Sequence, residues 1–175
     1  MKKTVFFVVG IFVLTQCFAN KVPEIIKYSK KGDLLKVKKL IESGAEINAK
    51  DKNMSTALMW ASSKGYIEIA RLLIEKGADI NAKGDWTALI WAAASGRIEV
   101  VNLLLEKGAD INAINGAGCT ALMLAAYLGH PDVVKTLIDK GAKLNTKSYS
   151  GSTALSLAKH KGIAKRKKHI EITKL

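Results

Sequence analysis

Cysteine is almost missing from this chain: Cys17 and Cys119 are the whole supply in 175 residues. A framework of disulfides is excluded, so any fold must be held by packing. Arginine is scarce too, with Arg71, Arg97 and Arg166 the only three among 28 cations. Recognition of phosphate favours bidentate arginine, and a lysine excess of this kind fits an A+T-rich coding bias at least as well. The centre of the chain lacks an excess of either charge. The net charge of +13 divides as +2 over residues 1–19, +4 over 20–50, +1 over 51–155 and +6 over 156–175. A basic channel for nucleic acid through the middle is therefore not encoded, and no specific nucleic-acid partner is expected. Long apolar runs are missing as well. Val5 to Leu14 is the longest, and ten helical residues reach about 15 Å, half of a hydrocarbon core of about 30 Å. What is present is 49% hydrophobic and 25% charged residues, ample for the core of one folded domain.

That short run sits in an export-like context. Lys2 and Lys3 precede it, and Cys17, Phe18 and Ala19 place small residues three and one before a cut at Asn20. Residues 1–19 are expected to be a removed signal peptide, leaving a periplasmic or secreted protein. Leu14, Thr15, Gln16 and Cys17 loosely resemble a bacterial lipoprotein signal, with Gln16 departing from its small-residue position, so lipid anchoring at Cys17 is the alternative. Cleavage after Ala19 leaves Cys119 as a single thiol, either a small half-buried residue near a turn or a group that pairs between chains or reacts.

Comparison of the sequence with itself shows a period near 33. GAEINAK, GADINAK, GADINAI and GAKLNTK begin at Gly44, Gly77, Gly108 and Gly141, in steps of 33, 31 and 33. Thr56, Thr87, Thr120 and Thr153 open TALMWA, TALIWA, TALMLA and TALSLA, and a glycine follows each threonine by nine residues. Each unit parses as two short helices and a turn. The threonine hydroxyl is suited to cap the first helix, and the glycine to end it. Ile67, Ala70, Leu73 and Ile74 give the second helix an apolar stripe, repeated at Ile98, Val101, Leu104 and Leu105. Neither helix can bury its stripe alone, but stacked neighbours can.

These residues resemble the ankyrin repeat. TALMWA and its relatives are similar to the family's TPLHxA start, with Ala at the Pro position and Met, Ile or Ser at the His position. GADINA resembles the turn after the second helix. The resemblance covers residues 22 to about 164 and implies an all-α solenoid of stacked helix-turn-helix units with projecting turn or hairpin loops. The units are 20–50 as an amino-terminal cap, 51–83, 84–114 with a shortened finger, 115–147, and 148–175 as a carboxyl-terminal cap and basic tail. It says little of function, because the architecture is a scaffold for many partners.

Departures from the pattern carry more information. In the first unit the threonine is absent and Pro23 stands ready to begin the helix. Lys36 and Lys39 replace apolar residues matched by Ile69 and Leu72, as suits a cap with one wet side. Lys165, Arg166, Lys167 and Lys168 fall on the second helix of the last unit. They are either a basic patch for anionic lipid, polymer or acidic protein, or a solvated cap with a frayed tail. Asn81 and Thr87 are six apart where the other units have eight, so the edge of fingers is notched there. Trp86 beside the notch is either a partner anchor or a ring folded onto the short turn. Trp60 and Trp91 occupy the position of Leu124 and Leu157 and are expected in the core, as are Met59 and Met123.

The resemblance implies that another protein is bound through finger tips and a concave first-helix face. Carried position by position, the candidate residues are Lys52, Asn53, Lys64, Asp85, Trp86, Ser95, Tyr127, Leu128, Tyr149 and His160, with Ser55 and Cys119 among their neighbours. Trp86, Tyr127, Leu128 and Tyr149 could form a central apolar patch with a polar rim. No enzyme, cofactor or metal is expected. The histidines are His130, His160 and His169; His130 follows the glycine of a helix-helix turn and has no Cys or carboxylate at metal-ligand spacing beside it, and Asp79 and Asp110 recur with the turn. A monomeric exported scaffold is the leading reading; a module held to an anionic surface by its basic end competes with it.

Overall fold

The computed structural model describes residues 22–160. The chain forms helices α1 (Glu24–Lys31), α2 (Leu34–Glu42), α3 (Ala57–Lys64), α4 (Ile67–Glu75), α5 (Ala88–Ala94), α6 (Ile98–Glu106), α7 (Ala121–Leu128), α8 (Pro131–Asp139) and α9 (Ala154–His160). Among the described residues no strand forms; the one β feature is an isolated bridge between Ile114 and Thr120. Successive helices pair within each unit, α1 with α2 through α7 with α8. First helices then stack in a row, α1 on α3, α3 on α5, α5 on α7 and α7 on α9, and second helices form a parallel row from α2 to α8. The all-α solenoid is what the period required.

The four first helices after the cap start as their threonines dictate. The hydroxyls of Thr56, Thr87, Thr120 and Thr153 accept the amides of Met59, Ile90, Met123 and Ser156, each at 3.3 Å. Alanine then allows close approach: Ala57, Ala61, Ala92, Ala93, Ala121, Ala125 and Ala126 are buried in the row. Larger side chains fill the space beside it, with Leu73, Leu104 and Leu137 sealed in the second helices. The glycine ending α3 takes φ +81°, and a Cβ there would meet the Arg97 side chain at 2.8 Å. Gly96 is in the same position under His130, so each unit lays a side chain over the preceding unit's turn.

The asparagine of GADINA joins the units at the opposite end. Asn48 accepts the amide of Asp79 at 2.8 Å and donates to the Gly77 carbonyl at 3.2 Å. Asn81 does the same for Asp110 and Gly108, and Asn112 accepts the amide of Lys143. Asp79 and Asp110 accept the amides two residues on, at 2.9 Å, which accounts for their recurrence by turn structure.

The first unit is a cap built by substitution. Pro23 occupies the cap position of α1 and offers no side-chain bond. Tyr28 stands where the later units have Ala61 and Ala92, and its ring closes the end of the row with the Lys36 ammonium 5.9 Å from its centroid. Lys36 and Lys39 are exposed.

Two hydroxyls in the stack are unsatisfied. Ser29 and Ser62 are fully buried at one register position, and neither oxygen has a partner. The next units have Ala93 and Ala126 there. We expect Ser62→Ala to stabilise the protein by about 1 kcal/mol, since it removes an uncompensated polar group and adds helix propensity. A urea midpoint lower than wild type would contradict this.

Candidate partner-binding face

The three tryptophans of the chain meet on the first-helix face. Trp60 of α3 and Trp91 of α5 stack at 6.3 Å between centroids with 20° between planes, and Trp86 tilts onto Trp91 at 4.5 Å. Lys30 of α1 continues the row, its ammonium 4.0 Å from the Trp60 centroid. Trp60 and Trp91 are thus half-buried on the surface of the core and not inside it, a correction to the sequence reading. The cause is register: the residue before the buried Ala61 or Ala92 lies at the rim of the helix row, where an indole can pack one edge and keep another in solvent. Trp86 is half-buried against Trp91 of α5.

Ser63, Ala94 and Ser95 stand beside this row, small and half-buried, between Lys30 on one side and Tyr127 on the other. The register therefore puts small side chains on α3 and α5 where the units on either side carry long ones. The Ser63 and Ser95 hydroxyls lie 3.4 Å apart. His130 donates from Nε2 to the Ala94 carbonyl at 2.9 Å, which gives it a structural task between units.

Asp51 braces the row against the first finger. Its carboxylate accepts the Trp60 indole N–H at 3.0 Å and the amides of Asn53 and Ser55 at 2.9 and 3.0 Å. Burial pushes its carboxyl up, but the Trp60 N–H, the two amides and nearby Lys30 outweigh that and hold it below the usual carboxylate range. A carboxyl with a lowered folded-state pKa contributes stability above its unfolded value and loses it as pH falls through the folded one. We expect wild-type tryptophan emission to change below about pH 4 before global unfolding, and this step to be missing in Asp51→Asn. An unchanged acid step in that variant would remove Asp51 from the brace.

The fingers are tight turns. Asp51, Asn115 and Ser148 each donate their amide to the carbonyl four residues on, at 3.0, 3.0 and 2.9 Å. The short third-unit turn has no such closure; its Asp85 carbonyl accepts the Gly116 amide at 3.2 Å, and Lys50 reaches across to the Lys83 carbonyl at 3.0 Å. A depression of about 430 Å³ opens at this notch, lined by Gly84, Asp110, Asn112 and Ile114 among others. Neighbouring fingers also pair further on, where Tyr149 donates its amide to Ala117 at 3.1 Å and its ring covers Gly118.

The candidate residues fall into separate groups. Lys52, Asn53, Lys64 and Asp85 are exposed; Trp86, Ser95 and Tyr127 are half-buried; Leu128 is 43% and Tyr149 75% exposed. Ser55, expected at a finger tip, is buried because it closes the turn. Trp86 joins the tryptophan row, whereas Tyr149 belongs to the last finger. Lys165, Arg166, Lys167 and Lys168, the side chain of His160 and the segment 1–19 lie outside the described residues. Cys119 is half-buried and burial pushes its thiol up, so it stays protonated near neutral pH. No group of three His, Cys, Asp or Glu that could hold a metal occurs among the described residues.

Sequence reasoning missed Met54. It has φ 58°, the only non-glycine residue with positive φ among those described, and it is 52% exposed. The fingers that follow place Gly118 and Gly151 at this position, with φ 73° and 78°. Alignment of the three full turns would have marked it.

Residues 25–115 match a family model of ankyrin repeats in three copies, and residues 104–158 match one of ankyrin repeats in many copies. No curated protein matches the chain significantly. The matches run through every described unit of the stack, and the chain belongs to the ankyrin repeat family, whose members generally mediate protein–protein interaction and are typically non-catalytic scaffolds.

Proposed function

We propose that the protein is an exported, non-catalytic module that binds another protein through its finger loops and first-helix face. The observation that carries this reading is the half-buried tryptophan row on α3 and α5, with the small, half-buried Ser63, Ala94 and Ser95 beside it. Aromatic side chains with one packed edge and one wet edge are the usual energetic centre of protein interfaces. Export rests on the sequence of residues 1–19, and N-terminal sequencing of the mature protein tests it: a start at Asn20 is expected, and an intact Met1 would refute it. Crosslinked partners recovered with wild-type protein should be lost or reduced at least tenfold with a Trp86→Ala, Tyr127→Ala double variant. Equal recovery by the two proteins would rule out this face.

A further inference from the structure

We propose that the first half of this face, from the Met54 finger to Trp60 and the lysines Lys30, Lys52 and Lys64, receives an acidic peptide segment carrying an apolar side chain. The inference rests on the protein-binding reading above and narrows its partner. Two independent observations support it.

The first is Met54. A side chain in the left-handed region costs about 1 kcal/mol or more that glycine does not, and the sister fingers avoid that cost with Gly118 and Gly151. Met54 contributes nothing to the core in return, since half of it is in solvent. Its amide donates to the Asp51 carbonyl at 2.9 Å, and Asp51 is tied to Trp60 at 3.0 Å. A flexible apolar side chain is thus held out, under strain, on a turn fixed to the tryptophan row. Methionine adapts readily to an apolar partner group.

The second is charge. Lys30 and Lys31 end α1 and Lys64 ends α3, all exposed, with Lys50 and Lys52 on the adjoining turn. Asp51 brings one negative charge near Lys30 against these five ammonium groups, and its oxygens are already engaged by three N–H donors. Carboxylates of a bound segment would meet these ammonium groups while its apolar side chain packs beside Trp60 and against Met54. The ring faces of Trp60 are shared with Lys30 and Trp91, which disfavours a flat sugar ring as the occupant.

The probe is a displayed library of random twelve-residue peptides selected on the full chain. Binding of tryptophan-free winners is followed by selectively excited tryptophan fluorescence, which reports on Trp60, Trp86 and Trp91. The expected winners are rich in Asp and Glu around an apolar residue. A Lys52→Glu, Lys64→Glu variant should bind them at least tenfold more weakly. Met54→Gly should raise the thermal midpoint and still bind about tenfold more weakly, a pairing that a structural role would not give. Neutral or basic winners that perturb the fluorescence would overturn the acidic assignment, and unchanged binding by Met54→Gly would overturn the placement of the apolar side chain at Met54; either result leaves the protein-binding reading standing. No selectable peptide, with a saturable fluorescence response to phosphatidylglycerol vesicles, would overturn both.

Discussion

Ala92→Asp is expected to lower stability by about 4 kcal/mol, because it buries a carboxylate with no partner in the row of first helices. Ala92 is fully buried in α5, between α3 and α7. The charge can be neither solvated nor paired there without separating units. For a stack of this size the loss corresponds to a fall in thermal midpoint of about 10 °C. Ser95→Asp, at the half-buried end of the same helix, should cost no more than about 1 kcal/mol, mostly from an anion at a helix carboxyl terminus. Indistinguishable midpoints for Ala92→Asp and wild type would refute the register of the repeat.

A second large effect follows from position in the stack. Leu40, Leu73, Leu104 and Leu137 are the same residue of successive second helices, yet Leu104 is fully buried and Leu40 only half-buried. Leu104→Ala leaves a cavity between α4 and α8 and should cost about 3 kcal/mol, whereas Leu40→Ala at the wet end should cost about half as much. Equal losses in urea denaturation would mean that each unit carries its own core.

The architecture was legible because it repeats. Four threonines and their glycines set the first helices, and the α4 and α6 stripes set the second, without knowledge of any long-range contact. The cap was legible through Lys36 and Lys39, although the ring of Tyr28 closing the end was not anticipated. The face was less legible. Periodicity equates Trp60 and Trp91 with Leu124 and Leu157 but does not say whether that position lies in the core or at its rim. The choice for Trp86 depends on how a turn two residues short folds, and the structure places it on Trp91 at 4.5 Å. The bridging role of Asn48, Asn81 and Asn112 was visible only as repetition, since its partners lie in the next unit. Met54 could have been found, because a methionine aligned with two glycines is a local conflict that packing does not explain.

Unfolding of Leu137→Ala, read by tryptophan fluorescence, tests most directly whether the units share one core. Leu137 lies in α8, in the unit beyond the one that holds the last tryptophan, Trp91. The tryptophan-detected urea midpoint should fall together with the far-ultraviolet circular dichroism midpoint. A tryptophan transition that stays at the wild-type position while the helical signal is lost earlier would show the units folding independently, contrary to the stacking described above.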